Sequence, residues 1–399
     1  MWHVADMVGL ALAATFVWPV LGWVLAGACA ICLAGMFRAY LFPRNVIDID
    51  ASSFGDRPWP TVVVIVPARD EAATIRPALA SLLALDYDPL KIIAVDDRST
   101  DRTGQILDEL AADNDRLDVM HVTELPAGWL GKNHANWVGA AQSDSDWLLF
   151  TDADVVFEPD VLERAVCFAE RNDLDHLALV PELIRGGLWE NAMVGTFLLF
   201  FMLQYRPWSV RNPRSRRYVG IGAFNLIRRS AYERIGTHRR LALDVTDDVK
   251  LGKLVKLEGL TQDVLNGDGQ LAVRWHHGLR GVIRGLEKNA FAGFDYSLAW
   301  LAGCTVPLLL GIVLMYAGAA AAPGLDRAGY LAAAAMVHLA FAILLWRGRV
   351  NPALTVLLPV MGLVFYYIIY RATYLTLHRG GIVWRGTLYP LSDLRKGVV

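Results

Sequence analysis

The sequence contains little cysteine and no excess of charge of either sign. Four of its 399 residues are cysteines, and Cys29 and Cys32 form a C-x-x-C inside a stretch without charges. A zinc or redox site needs polar surroundings, so we interpret this pair as ordinary packing and expect no disulfide framework. The 38 lysines and arginines nearly balance the 40 aspartates and glutamates. This balance gives no electrostatic case for a nucleic acid as partner.

Charged residues are scarce for a soluble enzyme but too frequent for a bundle of membrane helices. They make up 20% of the chain, whereas hydrophobic residues make up 55%. The mean hydropathy is +0.35. The composition therefore predicts a protein that is part soluble and part embedded in a membrane.

The longest stretch without charge lies near the start of the chain. It covers residues 7–37, between Asp6 and Arg38. A spanning helix needs about 20 apolar residues, so the stretch predicts a membrane anchor over residues 1–40. Its length and the acidic start of the chain favour a retained anchor over a cleaved signal peptide.

Three further apolar stretches lie in the last quarter of the chain. They cover residues 297–322, 329–346 and 352–370. Each is long enough to cross a bilayer, which predicts about three transmembrane helices within residues 296–372. A basic tail over residues 373–399 follows them.

Basic residues beside the predicted helices indicate the orientation of the chain. Arg38 and Arg44 follow the anchor, and Arg347 and Arg349 lie between the last two helices. Such residues favour the cytoplasmic side, so we expect a soluble domain over 41–295 that faces the cytoplasm, in a multi-pass protein of a bacterial-type inner membrane. Three C-terminal crossings would place the basic tail outside the cell. Either one segment is re-entrant or the charge rule fails here.

The soluble part alternates predicted strands and helices. A β-branched run over 62–66, which ends at Pro67, predicts a strand buried on both faces, and "KIIAVDDRST" repeats the plan with a strand over 92–95. The segment "WLLFTDADVVF" repeats it again. This alternation predicts an α/β domain with a mostly parallel sheet that binds ligands at the carboxyl ends of its strands.

Acidic residues follow three of these strands and suggest a metal site. In an extended chain Asp152 and Asp154 face the same side, so both can bind one hard cation whose other ligands are diphosphate oxygens. The alternative is that this D-x-D is only a turn at a strand end, and the acids after the earlier strands count against it. The side chains expected to converge on one crevice are those of Arg69, Asp70, Glu71, Asp96, Asp97, Asp152 and Asp154.

Seven short motifs follow one another along the chain: "VPARDEAATI", "VDDRSTDRT", "WLGKNHA", "TDAD", "GAFNLIRR", "VTDDVKL" and "VRW". In this order they resemble the family 2 glycosyltransferases with the GT-A fold, over about residues 60–295. The resemblance is greatest to the membrane-anchored branch that includes ceramide glucosyltransferase and the hopene-associated and carotenoid-pathway glycosyltransferases. It implies a Rossmann-like GT-A domain, a nucleotide diphosphate sugar as donor, and Mg²⁺ or Mn²⁺ as cofactor.

The resemblance also implies donor and metal roles for residues that match the family motifs. Asp152 would serve both roles, because a cation that it holds also binds the donor diphosphate. The residues matched are Ala68 and Glu71 at the nucleoside, Asp96 and Asp97 at the uracil, Lys132 at the diphosphate, and Asp152 and Asp154 at the metal.

Two adjacent acids match the position of the catalytic base. The resemblance assigns deprotonation of the acceptor hydroxyl to Asp248, with Asp247 as the next candidate. The alternative is that both acids stabilise the start of the following helix, but such a role needs only one acid. Transfer would leave charge on the diphosphate, which a cation and Lys132 can neutralise, while a carboxylate opposite takes the proton. These are the parts of an inverting displacement.

The last motif departs from the family pattern. Arg274 and Trp275 match the end of the catalytic Q-x-x-R-W motif, but Leu271 stands where that motif has glutamine. Processive polysaccharide synthases use this motif to hold a growing glycan. The departure favours an enzyme that transfers a single sugar.

A membrane lipid is the expected acceptor. The apolar segment within 191–208 is too short to cross the bilayer, and a crossing there would separate Asp154 from Asp248. We expect it to lie in the membrane interface, with Tyr205 and Trp208 at head-group level. The arginines of "RPWSVRNPRSRR" either hold lipid phosphates or form an ordinary basic surface, and both interpretations stay open.

Three hypotheses follow from the sequence. The first is an inverting glycosyltransferase that moves one sugar, expected from a UDP-hexose, to a membrane lipid. The second is a processive polysaccharide synthase, which Leu271 and the small number of helices disfavour. The third is a non-catalytic membrane scaffold on a transferase fold, which the complete set of acidic motif positions disfavours.

Overall fold

The computed structural model describes residues 2–41, 44–55 and 57–399. Met1, the first residue of the predicted anchor, lies outside them. The helices are α1 (Trp2–Leu41), α2 (Ile75–Leu83), α3 (Thr103–Ala112), α4 (Gly131–Ala140), α5 (Val161–Arg171), α6 (Leu188–Tyr205), α7 (Arg229–Arg234), α8 (Asp247–Leu257), α9 (Gly278–Glu287), α10 (Leu298–Ala321), α11 (Arg327–Arg347), α12 (Leu358–Arg379) and α13 (Leu391–Leu394).

The strands form three sheets. They are β1 (Val62–Ala68), β2 (Leu90–Asp97), β3 (Leu117–Val122), β4 (Trp147–Phe150), β5 (Val155–Phe157), β6 (His176–Val180), β7 (Glu182–Leu183), β8 (Asn225–Arg228), β9 (Gln262–Asn266), β10 (Leu271–Val273), β11 (Gly381–Trp384) and β12 (Thr387–Pro390). The main sheet has the order β3-β2-β1-β4-β8-β6-β9, and only β8 runs antiparallel to its neighbours. The order in the second sheet is β5-β10-β7, and β11 and β12 form a hairpin. The predicted α/β class with a mostly parallel sheet is confirmed.

The central strand β1 is buried on both faces, as its β-branched run predicts. Val62 and Val64 pack into one apolar cluster with residues of α2, α3 and α5. Val63 and Ile65 pack into a second cluster with residues of α4 and α8. Alternate residues of a strand point to opposite faces, so each face of the sheet acquires its own layer of helices.

Two predictions about strand ends are wrong. The strand β1 does not end at Pro67 but continues to Ala68, paired with β2. On its other side β1 pairs with β4 only as far as Ile65, so Pro67, which has no N–H group, lies beyond the part that is flanked on both sides. Asp152 and Asp154 are not in extended chain either, since they lie in the turn between β4 and β5. The chain turns there because β5 belongs to the second sheet.

In the part of the chain that the structure describes, four helices are long and apolar enough to cross a membrane, as the sequence predicts. The candidate spans lie at Val20–Phe37, Leu298–Ala321, Gly324–Arg347 and Pro352–Arg379. The helices α1 and α11 pack closely, and the Tyr330 hydroxyl of α11 donates to the Trp18 carbonyl of α1 at 2.8 Å.

The helix α12 both begins and ends beside the soluble domain. Before it, the Arg349 guanidinium lies 3.7 Å from Glu182. Near its end, Arg371 and Arg379 contact the Glu287 carboxylate at 2.5 and 2.8 Å. The helix itself continues to Arg379, past its predicted end near residue 370. The contacts with the soluble domain favour the re-entrant alternative for this segment, because a helix that crosses the membrane would have its two ends on opposite sides.

The helix α6 packs between the soluble domain and the apolar helices. The Phe200 ring stacks on Phe365 of α12 with ring centroids 4.7 Å apart. The Trp208 side chain, just after α6, lies against Gly35 of α1. An interfacial position for 191–208 stays a prediction, and the packing ties this segment to two of the candidate membrane helices.

Candidate active site

A cleft of about 280 Å³ opens where β1, β2 and β4 end. It brings together six of the seven residues matched to donor and metal roles, and the exception is Asp96. Parallel strands end at the same edge of a sheet, which is why residues far apart in the chain meet here. The lining consists of Pro67, Ala68, Arg69, Glu71, Asp97, Gly131, Lys132, Asp152, Ala153, Asp154, His276, Lys288, Trp384, Arg385 and Tyr389.

Two guanidinium groups fix the buried Asp97 carboxylate at the end of β2. Arg98 donates from Nε to Oδ1 at 2.8 Å and from Nη2 to Oδ2 at 3.0 Å, and Arg69 lies 3.8 Å away. The first residue of α4, Gly131, sits directly against this carboxylate, where a side chain would clash. The backbone can therefore approach the acid closely at the floor of the cleft.

The Glu71 side chain reaches the tip of the β11–β12 hairpin. Its Oε2 accepts a hydrogen bond from the Thr74 hydroxyl at 3.0 Å, and its Oε1 pairs with Arg385. The Arg385 guanidinium also donates to the carbonyl of Arg69. The C-terminal hairpin thus closes one side of the predicted nucleoside pocket.

Lys132 links the two groups of acids in the site. Its ammonium donates to Asp152 Oδ1 at 2.6 Å and lies 3.9 Å from Asp247 Oδ2. Burial alone would lower the pKa of Lys132, but the carboxylates of Asp152, Asp247 and Asp248 raise it above its usual value. The lysine therefore stays charged between the predicted metal ligands and the predicted base.

The two acids of the D-x-D differ in their electrostatic surroundings. Burial, followed by the carboxylates of Asp152 and Glu71, raises the pKa of Asp154 to about 7. Burial opposes ionisation of Asp152 as well, but Lys132 holds the pKa of that carboxyl below its usual value. Among the residues that the structure describes, no group of three or more acidic, histidine or cysteine side chains is arranged to hold a metal ion. The pair fits a divalent cation if the donor supplies the other ligand atoms, because a cation would offset the repulsion at Asp154.

The predicted base lies at the start of α8, next to this pair. Asp248 Oδ2 accepts the Gly222 N–H at 3.0 Å, and Oδ1 accepts the Val249 N–H at 2.8 Å. A side chain at Gly222 would come within 2.6 Å of Asp152 Oδ2 and 3.1 Å of Asp248 Oδ2, so only glycine leaves the two carboxylates this close. Burial raises the pKa values of Asp247 and Asp248. Both acids lie in the first turn of α8, a position compatible with the helix-stabilising alternative too.

Five matched residues do not line the cleft. Asp247 and Asp248 line a small pocket beside it, and Lys132 borders both spaces. The Asp96 carboxylate accepts the Ser99 N–H at 3.2 Å and lies 3.0 Å from His121 Nδ1. Neighbours on a strand point to opposite faces, so Asp96 and Asp97 on β2 cannot both reach the donor.

The other two matched residues, Arg274 and Trp275, contact α6 instead. The Arg274 guanidinium pairs with Glu190 at 3.1 Å, and the Trp275 ring lies 4.6 Å from the ring of Phe197. Both residues also contact His276, which lines the cleft: Arg274 Nε donates to the His276 carbonyl at 3.2 Å, and the Trp275 and His276 ring centroids lie 4.5 Å apart. Their catalytic assignment stays a prediction.

Sequence reasoning missed five residues of the cleft: His276, Lys288, Trp384, Arg385 and Tyr389. The ammonium of Lys288 lies 3.8 Å from the centroid of the Trp384 ring and, among the described residues, has no carboxylate within 4.0 Å. Burial lowers the pKa of Lys288 to about 8. One feature of the tail could have indicated the hairpin. The arginine and glycine of "WRGT" form its two-residue turn.

The sequence of the central region matches a known family. Residues 63–236 match the family model described as glycosyl transferase family 2. The chain is 24% identical over 274 residues to 4,4'-diaponeurosporenoate glycosyltransferase of Staphylococcus haemolyticus, covering 65% of this chain and 71% of that protein. It is 25% identical over 347 residues to the enzyme of the same name from Staphylococcus aureus strain USA300, covering 83% and 88%.

One solved structure is similar to this chain over most of its length. A mannosyltransferase from Pyrobaculum calidifontis, in complex with GDP-Man and Mn²⁺, is 19% identical with a TM-score of 0.49. The similarity covers 86% of this chain and 99% of that chain.

Proposed function

We propose that this chain moves one sugar from a nucleotide diphosphate sugar to a membrane lipid. The family 2 match over residues 63–236 and the two staphylococcal glycosyltransferases support a glycosyltransferase. The observation that supports the proposal most is the position of Lys132, between Asp152 of the donor cleft and Asp247 at the start of α8. This position puts a cation between the predicted leaving group and the predicted base. A UDP-hexose is the donor that we expect.

The donor cleft supplies partners for each part of a nucleotide diphosphate sugar. Ala68, Glu71 and Asp97 provide the nucleoside pocket. Four lysine and arginine side chains line the same cleft. Arg69 lies next to Asp97, and the other three, Lys132, Lys288 and Arg385, would offset the charge of the leaving diphosphate. Asp152 and Asp154 would hold Mg²⁺ or Mn²⁺, which when bound supplies further charge neutralisation at the diphosphate.

The acceptor hydroxyl is expected to lose its proton to Asp248. The backbone N–H groups of Gly222 and Val249 hold the two oxygens of this carboxylate, so its orientation is set before the acceptor arrives. Burial raises the pKa of Asp248, which strengthens it as a base. Attack from the side opposite the diphosphate inverts the anomeric centre.

A lipid acceptor is supported by the relatives and by the surroundings of the site. Both staphylococcal relatives are named for a carotenoid acid, and the longer match covers 83% of this chain. The apolar helices α6 and α12 pack together, and Phe197 of α6 contacts Trp275, whose ring lies against His276 of the cleft. An acceptor that is dissolved in a membrane could reach the site along them.

The decisive experiment identifies the product. Membranes that contain the full chain are incubated with several labelled UDP-sugars, and we expect the label from one of them in the organic extract. Membranes that contain Asp154→Asn serve as the control and should give no labelled lipid. Label in a high polymer would instead support a processive synthase, and no label from any donor in either fraction would contradict the proposal.

We propose that the cleft faces the cytoplasm and that α12 does not cross the membrane. Cysteines are introduced at the exposed positions Asp113 in the soluble domain, Leu325 between α10 and α11, and Ser392 in the tail. The native cysteines give a low background, because Cys167 is buried and the others lie in α1 and α10.

An impermeant thiol reagent should label only Leu325→Cys in intact cells and all three variants after lysis. Labelling of Asp113→Cys in intact cells would reverse the orientation. Labelling of both Ser392→Cys and Leu325→Cys in intact cells, without labelling of Asp113→Cys, would show that α12 crosses the membrane.

A further inference from the structure

A second cavity, of about 470 Å³, adjoins the donor cleft and has no role in the function described so far. It is a groove between α9, the last turns of α12 and the β11–β12 hairpin. Among the described residues, five cationic side chains and one acidic side chain line it. The cations are Arg284, Lys288, Arg371, Arg379 and Arg385, and the acid is Glu287.

The acid of this groove does not neutralise its cations. Glu287 is already shared between Arg371 and Arg379, at 2.5 and 2.8 Å. Arg385 pairs with Glu71 outside the groove, and in the described part of the chain Arg284 and Lys288 have no acidic partner within 4.0 Å. The groove therefore carries uncompensated positive charge, part of it on a lysine whose pKa burial lowers, and this favours an anionic ligand.

The groove is continuous with the donor cleft. Lys288, Trp384 and Arg385 line both cavities. A ligand in the groove would therefore lie beside the place where the sugar donor is expected. This position favours a ligand that takes part in the reaction.

Apolar residues form the rest of the groove. Leu375, Ile382, Val383 and Trp384 lie among its cations. The helix α12, which supplies Leu375, is one of the four candidate membrane helices. Charge beside apolar surface at the end of such a helix suits a molecule with an anionic head and a hydrocarbon chain.

We propose that this groove binds an anionic group, a phosphate or a carboxylate, in the head group of the lipid acceptor, beside the hydroxyl that Asp248 deprotonates. The proposal rests on the proposed function and adds the chemical class of the acceptor to it. The planar fork of arginine matches the oxygens of both kinds of head group, and four of the five cations are arginines. A basic surface that serves only membrane orientation would not require a concave site that shares its walls with the donor cleft.

The test compares lipids that differ only in the head group. The full chain, purified in a neutral detergent, is titrated with labelled hexadecyl phosphate, palmitate and hexadecanol. At least one of the two anions should bind about tenfold or more tightly than the alcohol, since charge-assisted hydrogen bonds exceed neutral ones by about 1.4 kcal/mol or more. The two anions separate a phosphate head group from a carboxylate one. Equal binding of all three would overturn the proposal.

A double substitution locates the anion in the groove. Arg284→Gln with Arg379→Gln removes two exposed charges and should weaken binding of the preferred anion about tenfold, while hexadecanol binds as before. UDP binding in the presence of Mn²⁺ should not change, which shows that the donor cleft and the fold are intact. The matched control, Arg214→Gln with Arg216→Gln, removes two exposed charges from the other basic segment and should bind the anion normally. Loss in the control and not in the groove variant would place the anion elsewhere.

Inorganic phosphate distinguishes a head group from a free anion. At the same molar concentration as unlabelled hexadecyl phosphate, it should displace the labelled lipid far less, because it gains nothing from the apolar part of the groove. Equal displacement would mean that the site takes a free anion, and the proposal would fail. The proposed function is tested separately by the labelled-sugar experiment, since transfer to a neutral lipid would satisfy it and contradict only the anionic acceptor.

Discussion

Replacing Asp248 by asparagine is expected to slow sugar transfer at least about a hundredfold, because general-base assistance is worth about 10² to 10⁴ in rate. The affinity for UDP should stay close to that of the unsubstituted protein. Asparagine keeps the size of the side chain and can still accept one of the two backbone N–H groups, from Gly222 or Val249. It cannot take the proton of the acceptor. Donor binding should survive, because it depends on Asp97, Lys132 and the cation.

The matched control for this variant is Asp247→Asn, one residue earlier in the same helical turn. Both substitutions remove one acid from the start of α8, so a helix-stabilising role predicts similar losses from the two. A base role for Asp248 predicts a large loss of rate in Asp248→Asn and a smaller one in the control. Transfer rates and UDP affinity are measured on both variants. Normal turnover by Asp248→Asn together with a hundredfold loss in Asp247→Asn would move the base to Asp247.

The donor half of the site could be predicted from the sequence because it depends on which residues follow each buried strand. Glu71 and Asp97 each follow a buried strand, and parallel strands bring such positions to one edge of a sheet. The resemblance assigned Asp97 to the uracil and added Asp96, but the motif alone does not show which of the two reaches the cleft. That choice depends on which face of β2 each residue occupies, which is set by packing of the helices on the sheet and not by the motif.

The part of the site supplied by the C-terminal region could not be predicted. Arg385 pairs with Glu71, a residue 314 positions earlier in the chain, and Lys288 reaches the same cleft from the end of α9. Their approach depends on how α12 and the hairpin fold back along the soluble domain. The apolar pattern of α12 indicates a helix but not its direction, so the sequence was equally compatible with a crossing and with a return to the same side.

Asp152 and Asp154 were expected to lie together at one cleft, and they do, but the geometric argument for this expectation was wrong. Asp152 and Asp154 were expected together at one cleft because alternate residues of a strand share a face. They do line the same cleft, but as neighbours in a turn that carries the chain from the first sheet into the second. The turn alternative and the metal hypothesis are therefore compatible with each other.

Removal of divalent cations is expected to abolish transfer, and Mn²⁺ or Mg²⁺ should restore it. Asp154→Asn should lose both transfer and UDP binding in the presence of Mn²⁺, in contrast to Asp248→Asn, because a cation between the carboxylates and the diphosphate contributes to donor affinity. Full transfer in EDTA, or by Asp154→Asn, would contradict the metal assignment.

We expect Asp154→Asn to stay folded, so that unfolding does not cause its loss of activity. Burial and the neighbouring Asp152 raise the pKa of Asp154 to about 7, above its ordinary value, so ionised Asp154 destabilises the folded state once the pH exceeds the ordinary value and most fully above pH 7. Asparagine removes that charge. In EDTA at pH 8 we therefore expect Asp154→Asn to unfold at a temperature no lower than that of the unsubstituted protein, with the surface variant Asp113→Asn as control. A lower unfolding temperature would mean that Asp154 supports the fold, and its loss of activity would then say nothing about a metal.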